Sequence, residues 1–138
     1  MIRINRRDFI RTVNTYPNDE YGDDDYFAAL EAGRNPHYKA NAESIFRFLN
    51  RWRCRISNSK LRAFHRMMLK RHGVLQATRR LVLVNVDLTR HYKRITSLYG
   101  DVHGVLGSHT GTAKALHVMS PDFFPITDKN IRVGMGCA

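Results

Sequence analysis

The chain has no apolar run longer than the five residues Tyr26–Leu30. A helix that crosses a membrane needs about 20 apolar residues, so no transmembrane segment and no membrane partner is expected. The residues before Tyr16 are rich in arginine but lack the apolar stretch of a secretory signal. Asp8 and the acidic stretch after it argue against a transit peptide, and the expected location is intracellular. Cysteine is scarce too. Cys54 and Cys137 stand 83 positions apart, and no CxxC or paired Cys/His spacing accompanies them. Zinc and iron–sulfur clusters are therefore not expected, and both thiols are read as reduced. There is no internal repeat and no linker long enough to divide the chain. One domain over residues 1–138 follows, with no metal and no organic cofactor.

Acidic residues are scarce after position 44. Residues 1–44 carry six Lys/Arg against eight Asp/Glu, whereas residues 45–138 carry seventeen against four. The net charge of +11 thus comes from +13 in the second part and −2 in the first. A basic excess gathered in one region points to a polyanion, nucleic acid before any other. Arginine greatly outnumbers lysine, which suits bidentate contacts to phosphate. Aromatics at 10% and apolar residues at 43% fit a globular chain with a real core.

Apolar spacing predicts helices throughout. Asn5–Val13 forms a short one with Phe9, Ile10 and Val13 on one face, and Tyr16–Asp19 turns. Asp23, Asp24 and Asp25 place negative charge at the start of a helix that runs to Ala32 and stops at Gly33. Asn35-Pro36 is a loop. From Asn41, the residues Ile45, Phe48, Leu49, Trp52 and Ile56 keep helical spacing. Arg47, Arg51 and Arg55 recur every four residues on another face. This stripe is either a solvated face or a track for phosphates. Ser57–Ser59 breaks the helix. The next one buries Leu61, Phe64, Met68 and Leu69, closes at Gly73, and carries His65 and His72 on its surface. Val74–Val86 is left open between helix and extended connector. Asp87 caps a helix that ends at Gly100, with Leu88, Tyr92, Ile95 and Leu98 inward. The fold class expected is all-α.

The last third carries the functional argument. A short helix before Gly104, a turn at Gly107–Gly111 and a helix over Thr112–Met119 make a candidate helix-hairpin-helix at about residues 100–119. Glycines let backbone amides approach a phosphate, and the following helix offers its N-terminus to the anion. Thr110 or Thr112 adds a hydroxyl, and Lys114 adds a charge. Pro121 and Pro125, with Phe123 and Phe124, form a loop that ends at Asp128. Asp128 either caps the next helix or faces the held anion. His103, His109 and His117 do not share a helical face, so they are not read as metal ligands.

Gly111-Thr-Ala-Lys-Ala-Leu116, then Asp128, then Ile131-Arg132 and Gly134 resembles the helix-hairpin-helix DNA glycosylase superfamily. The likeness covers about residues 98–136. It implies a DNA-repair setting in which the hairpin holds the DNA backbone, with a monovalent cation on the hairpin carbonyls, and a base is flipped into a pocket. Asp128 would then be the catalytic aspartate that stabilises the oxocarbenium-like sugar or orients the attacking water, kept ionised by Lys129, Arg132 and a helix N-terminus. Gly111 stands where bifunctional members carry their lysine, so lyase chemistry is not expected. The chain ends ten residues after Asp128. By the resemblance, a protein partner would cover surface that further helices normally cover. The leading expectation is a nucleic-acid-binding helical protein, with DNA favoured over RNA. The alternatives are a monofunctional DNA glycosylase using Asp128 and a basic subunit of a larger, ribonucleoprotein assembly.

Overall fold

A computed structural model describes residues 23–126. The readings on Asn5–Val13, Tyr16–Asp19, Asp128, Lys129, Arg132 and Cys137 lie outside the described residues. Among the described residues the fold is all-helical, with no strand. The helices are α1 (Asp23–Ala32), α2 (Lys39–Arg51), α3 (Leu61–Arg79), α4 (Leu88–Leu106) and α5 (His109–Met119). Short 3-10 turns at Asn58–Lys60 and Leu83–Asn85 precede α3 and α4.

The shortest helices but one, α5, is the centre of the packing. It touches α1, α2 and α4, while α3 lies against α2 and α4. Ala115, Leu116, Val118 and Met119 of α5 meet a core built by Ile45, Phe48 and Leu49 of α2, Phe64 and Met68 of α3, and Leu98 and Val102 of α4. Each of these side chains is almost fully removed from water, and such burial contributes roughly 1.5–3 kcal/mol per large side chain. Helix α1 comes very close to α5. A Cβ on Gly33 would sit 1.9 Å from the Val118 carbonyl oxygen, so the residue that ends α1 is glycine because a backbone passes there.

Helix boundaries depart from sequence expectation where side chains outweigh local propensity. Helix α2 stops at Arg51, not at Ile56. Asn50 stops it: its side-chain oxygen accepts from the Ile56 amide at 2.8 Å, and its amide donates to the Ile56 carbonyl at 3.0 Å. The chain between them turns through left-handed backbone at Arg53 (φ 58°) and Arg55 (φ 51°). Helix α3 does not close at Gly73. It continues to Arg79 because Leu75 and Thr78 are buried on its second half. Helix α4 likewise passes through Gly100 and Gly104, absorbing the separate short helix expected there. Asp87 caps α4 as the sequence indicates, accepting from the amides of Thr89 and Arg90. Leu88 and Tyr92, however, do not point inward. They are 51% and 65% exposed, because the first turns of α4 extend past the residues that bury Leu98 and Val102.

Candidate functional site

Helices α4 and α5 are joined by two residues. Gly107 ends α4 in the left-handed conformation (φ 67°), and its amide donates to the His103 carbonyl at 2.7 Å. Ser108 then caps α5, its hydroxyl accepting from the Gly111 amide at 3.0 Å. The turn is therefore Gly107–Ser108 rather than Gly107–Gly111, and α5 begins three residues earlier than the sequence suggests. Gly111 lies inside α5, where a Cβ would stand 2.9 Å from Ile56 Cδ1. The first two amides of α5, those of His109 and Thr110, have no acceptor within the helix. They also carry the positive end of its dipole.

Lys60 supplies a full charge beside this turn. Its ammonium donates to the Leu106 carbonyl at 2.9 Å, at the negative end of α4. A Cβ on Gly107 would come within 2.9 Å of the same nitrogen. Sequence reading missed Lys60 because its partner is 46 positions away. Ser108 was legible as a helix cap directly after a glycine.

The carbonyls around the turn leave little for a bound monovalent cation. Leu106 is engaged by Lys60, His103 by the Gly107 amide, and Ser108 by both the amide and the hydroxyl of Thr112. At Leu106 the chain's own Lys60 ammonium takes up the carbonyl. Among the described residues no group of three or more His, Cys, Asp or Glu is arranged to hold a metal ion.

The residues singled out from sequence fall into three places. Gly107 stands in the turn, and Thr110 in the first turn of α5. Thr112 and Lys114 face inward: Thr112 is fully buried, and the Lys114 ammonium donates to the Trp52 carbonyl at 3.3 Å while lying 5.1 Å from the Trp52 ring centre. That ammonium is satisfied by a carbonyl and a π face inside the chain. Arg47 and Arg51 are exposed on α2, and Arg51 meets Asp25 at 3.9 Å. Arg55 is exposed in the α2–α3 loop, so the four-residue stripe breaks after Arg51. The same loop is tied to α5 through Trp52 and Ile56, which brings the basic loop and the turn to one side of α5.

The histidines have local explanations. His117 lies between the Tyr26 hydroxyl at 2.9 Å and the Phe124 carbonyl at 2.7 Å. Burial lowers its pKa from the ordinary value, and the Phe124 hydrogen bond opposes that in part. His109 meets the Tyr99 hydroxyl at 2.8 Å, and its ring stacks on His103 with centres 4.1 Å apart. His65 and His72, expected on the surface, are half-buried with His37 in the joint between α3 and the α1–α2 loop. His65 contacts the His37 carbonyl at 2.8 Å, and the His37 and His72 rings lie 4.1 Å apart. The His37 pKa is lowered by desolvation and then by its two histidine neighbours. Burial raises the Cys54 thiol pKa, and the nearby Lys114 charge opposes it.

No helix among the described residues is long and apolar enough to cross a membrane. Comparison of the chain with protein-family models, with curated proteins and with solved structures gives no match in any of the three.

Proposed function

We propose that the chain is a nucleic-acid-binding helical protein, DNA being the preferred polyanion, and that α4, the Gly107–Ser108 turn and α5 act as a helix-hairpin-helix that holds the phosphate backbone. The observation that carries this reading is the Lys60 ammonium seated beside a glycine turn whose next helix begins with amides that have no acceptor within the helix. Amides, a dipole end and a fixed positive charge are the donors that a phosphate oxygen accepts from. The excess of +13 over residues 45–138 adds long-range attraction. Arg47, Arg51 and Arg55 extend the contact along the strand. Lys129 and Arg132 belong to the same proposal on sequence grounds.

Lys114 takes a different part here from that expected by sequence. Held by Trp52, it fixes α5 against the α2–α3 loop and so keeps the turn in place. Retention of a labelled duplex oligonucleotide tests the assignment. Arg47→Ala, Arg51→Ala and Lys60→Met should each weaken binding while leaving the far-ultraviolet dichroism unchanged. Lys114→Ala should lower the unfolding midpoint more than it lowers affinity at a temperature where the chain stays folded. Full retention by Lys60→Met would remove the turn from the interface.

A further inference from the structure

Five of the large apolar side chains that the fold leaves exposed lie within eleven consecutive residues. They are Val82, Leu83 and Val84 in the connector, and Leu88 and Tyr92 on the first turns of α4. Val84 is 87% exposed. Leu88, Tyr92 and the half-buried Ile95 follow helical spacing, so they continue the buried stripe of Leu98, Val102 and Leu106 outward, and among the described residues Leu88 and Tyr92 remain exposed. Contiguous apolar surface of this kind marks an interaction site. Leu88, Thr89, Arg90, Tyr92 and Lys93 line a shallow depression there.

The rim of this patch is basic. Arg80, Arg90, Lys93 and Arg94 are exposed around it, against Asp87 and Asp122. Two copies of the same face would repel each other, so a symmetric pairing of α4 with α4 is disfavoured. The occupant must carry apolar surface between carboxylates. The outward face of α1 has that character: Asp24, Phe27, Ala28 and Glu31 are all exposed and follow one another at i, i+3, i+4 and i+7. Phe27 is 64% exposed, and Glu31 also meets Arg34 at 3.1 Å. Helix α1 packs on α2 and α5, whereas α4 packs on α3 and α5. The two faces thus belong to different helices.

We propose that the α1 face of one copy docks on the Val82–Tyr92 face of a second copy. Phe27 enters the depression beside Leu88 and Tyr92, and Asp24 and Glu31 meet Arg90, Lys93 and Arg94. The contact is heterologous, because it joins two different surfaces, and it weakens with salt.

Light scattering after size exclusion, on the full chain without nucleic acid at low salt, tests this across a series of concentrations. The average mass should rise above that of one copy, and Tyr92→Asp should raise the apparent dissociation constant about tenfold or more. The Tyr92 side chain is 65% exposed, so folding is not at stake. A charge-exchange pair sharpens the test. Asp24→Lys with Glu31→Lys, and separately Arg90→Glu with Lys93→Glu, should each yield a single-copy species, and mixing the two should restore association. A wild-type chain that stays single throughout overturns the inference, as does a mixture that fails to associate. If the chain stays single and Tyr92→Asp instead costs oligonucleotide retention, the patch belongs to nucleic acid. Because the assay contains no nucleic acid, either failure leaves the proposed function untouched.

Discussion

Gly107 is constrained twice over. Its φ of 67° is left-handed, and a Cβ would crowd the Lys60 ammonium at 2.9 Å. Gly107→Ala should therefore cost about 1–2 kcal/mol of stability from the backbone, and should also displace Lys60 from the Leu106 carbonyl. Urea unfolding checks the first effect, and an unchanged midpoint would contradict it. The histidines give a second prediction at this scale. His37 and His117 both have folded pKa values below their ordinary value of 6.5. Below pH 6.5 the unfolded chain therefore binds more protons than the folded one, so stability falls as pH drops through that window. Urea midpoints taken at neutral and mildly acidic pH should show the loss, and His117→Gln should reduce the dependence. A midpoint that rises on acidification would oppose it.

At the scale of elements, the all-helical class and much of the core were legible because apolar spacing persists through α2, α3 and α4, although Leu69, Leu88 and Tyr92, all expected inward, are exposed. Helix ends were legible where a local signal marks them, as Asp87 does at the start of α4 and Gly33 at the end of α1. Gly33 does end α1, but at two other glycines long-range packing wins over the expected stop: Leu75 and Thr78 carry α3 past Gly73, and Val102 and Leu106 carry α4 past Gly100. The end of α2 escaped notice because Asn50 looks like a polar surface residue until Ile56 folds back onto it. The inward position of Lys114 was equally hidden, since Trp52 lies 62 positions away. The glycines passed over by the helices offer a third prediction. Nothing lies within 4 Å of a Cβ at Gly73 or Gly100. Alanine at either site should raise stability by about 0.5–1 kcal/mol. Chemical denaturation of the two single variants measures it, and destabilisation by both would show that the helices need flexibility there.

At the scale of the whole molecule, charge and turn geometry act together. The turn was visible in the sequence as a glycine-rich stretch, but its positive charge was assigned to Lys114. The structure seats Lys60 there instead, on the Leu106 carbonyl. Retention of nucleic acid should accordingly be equal in sodium and potassium at matched ionic strength, as competition binding in the two salts can show. A strong preference for one ion would mean that the turn recruits a cation despite Lys60. The contribution of Lys60 and the arginines is best read from salt itself. Each phosphate neutralised on duplex DNA adds about −0.9 to the slope of log affinity against log salt. The most direct measurement is a fluorescence-anisotropy titration of a duplex oligonucleotide at several salt concentrations, with wild-type chain and Lys60→Met side by side. The account predicts a steep negative slope for the wild type, shallower by about 0.9 in the variant. Absence of binding, or affinity indifferent to salt, would contradict it.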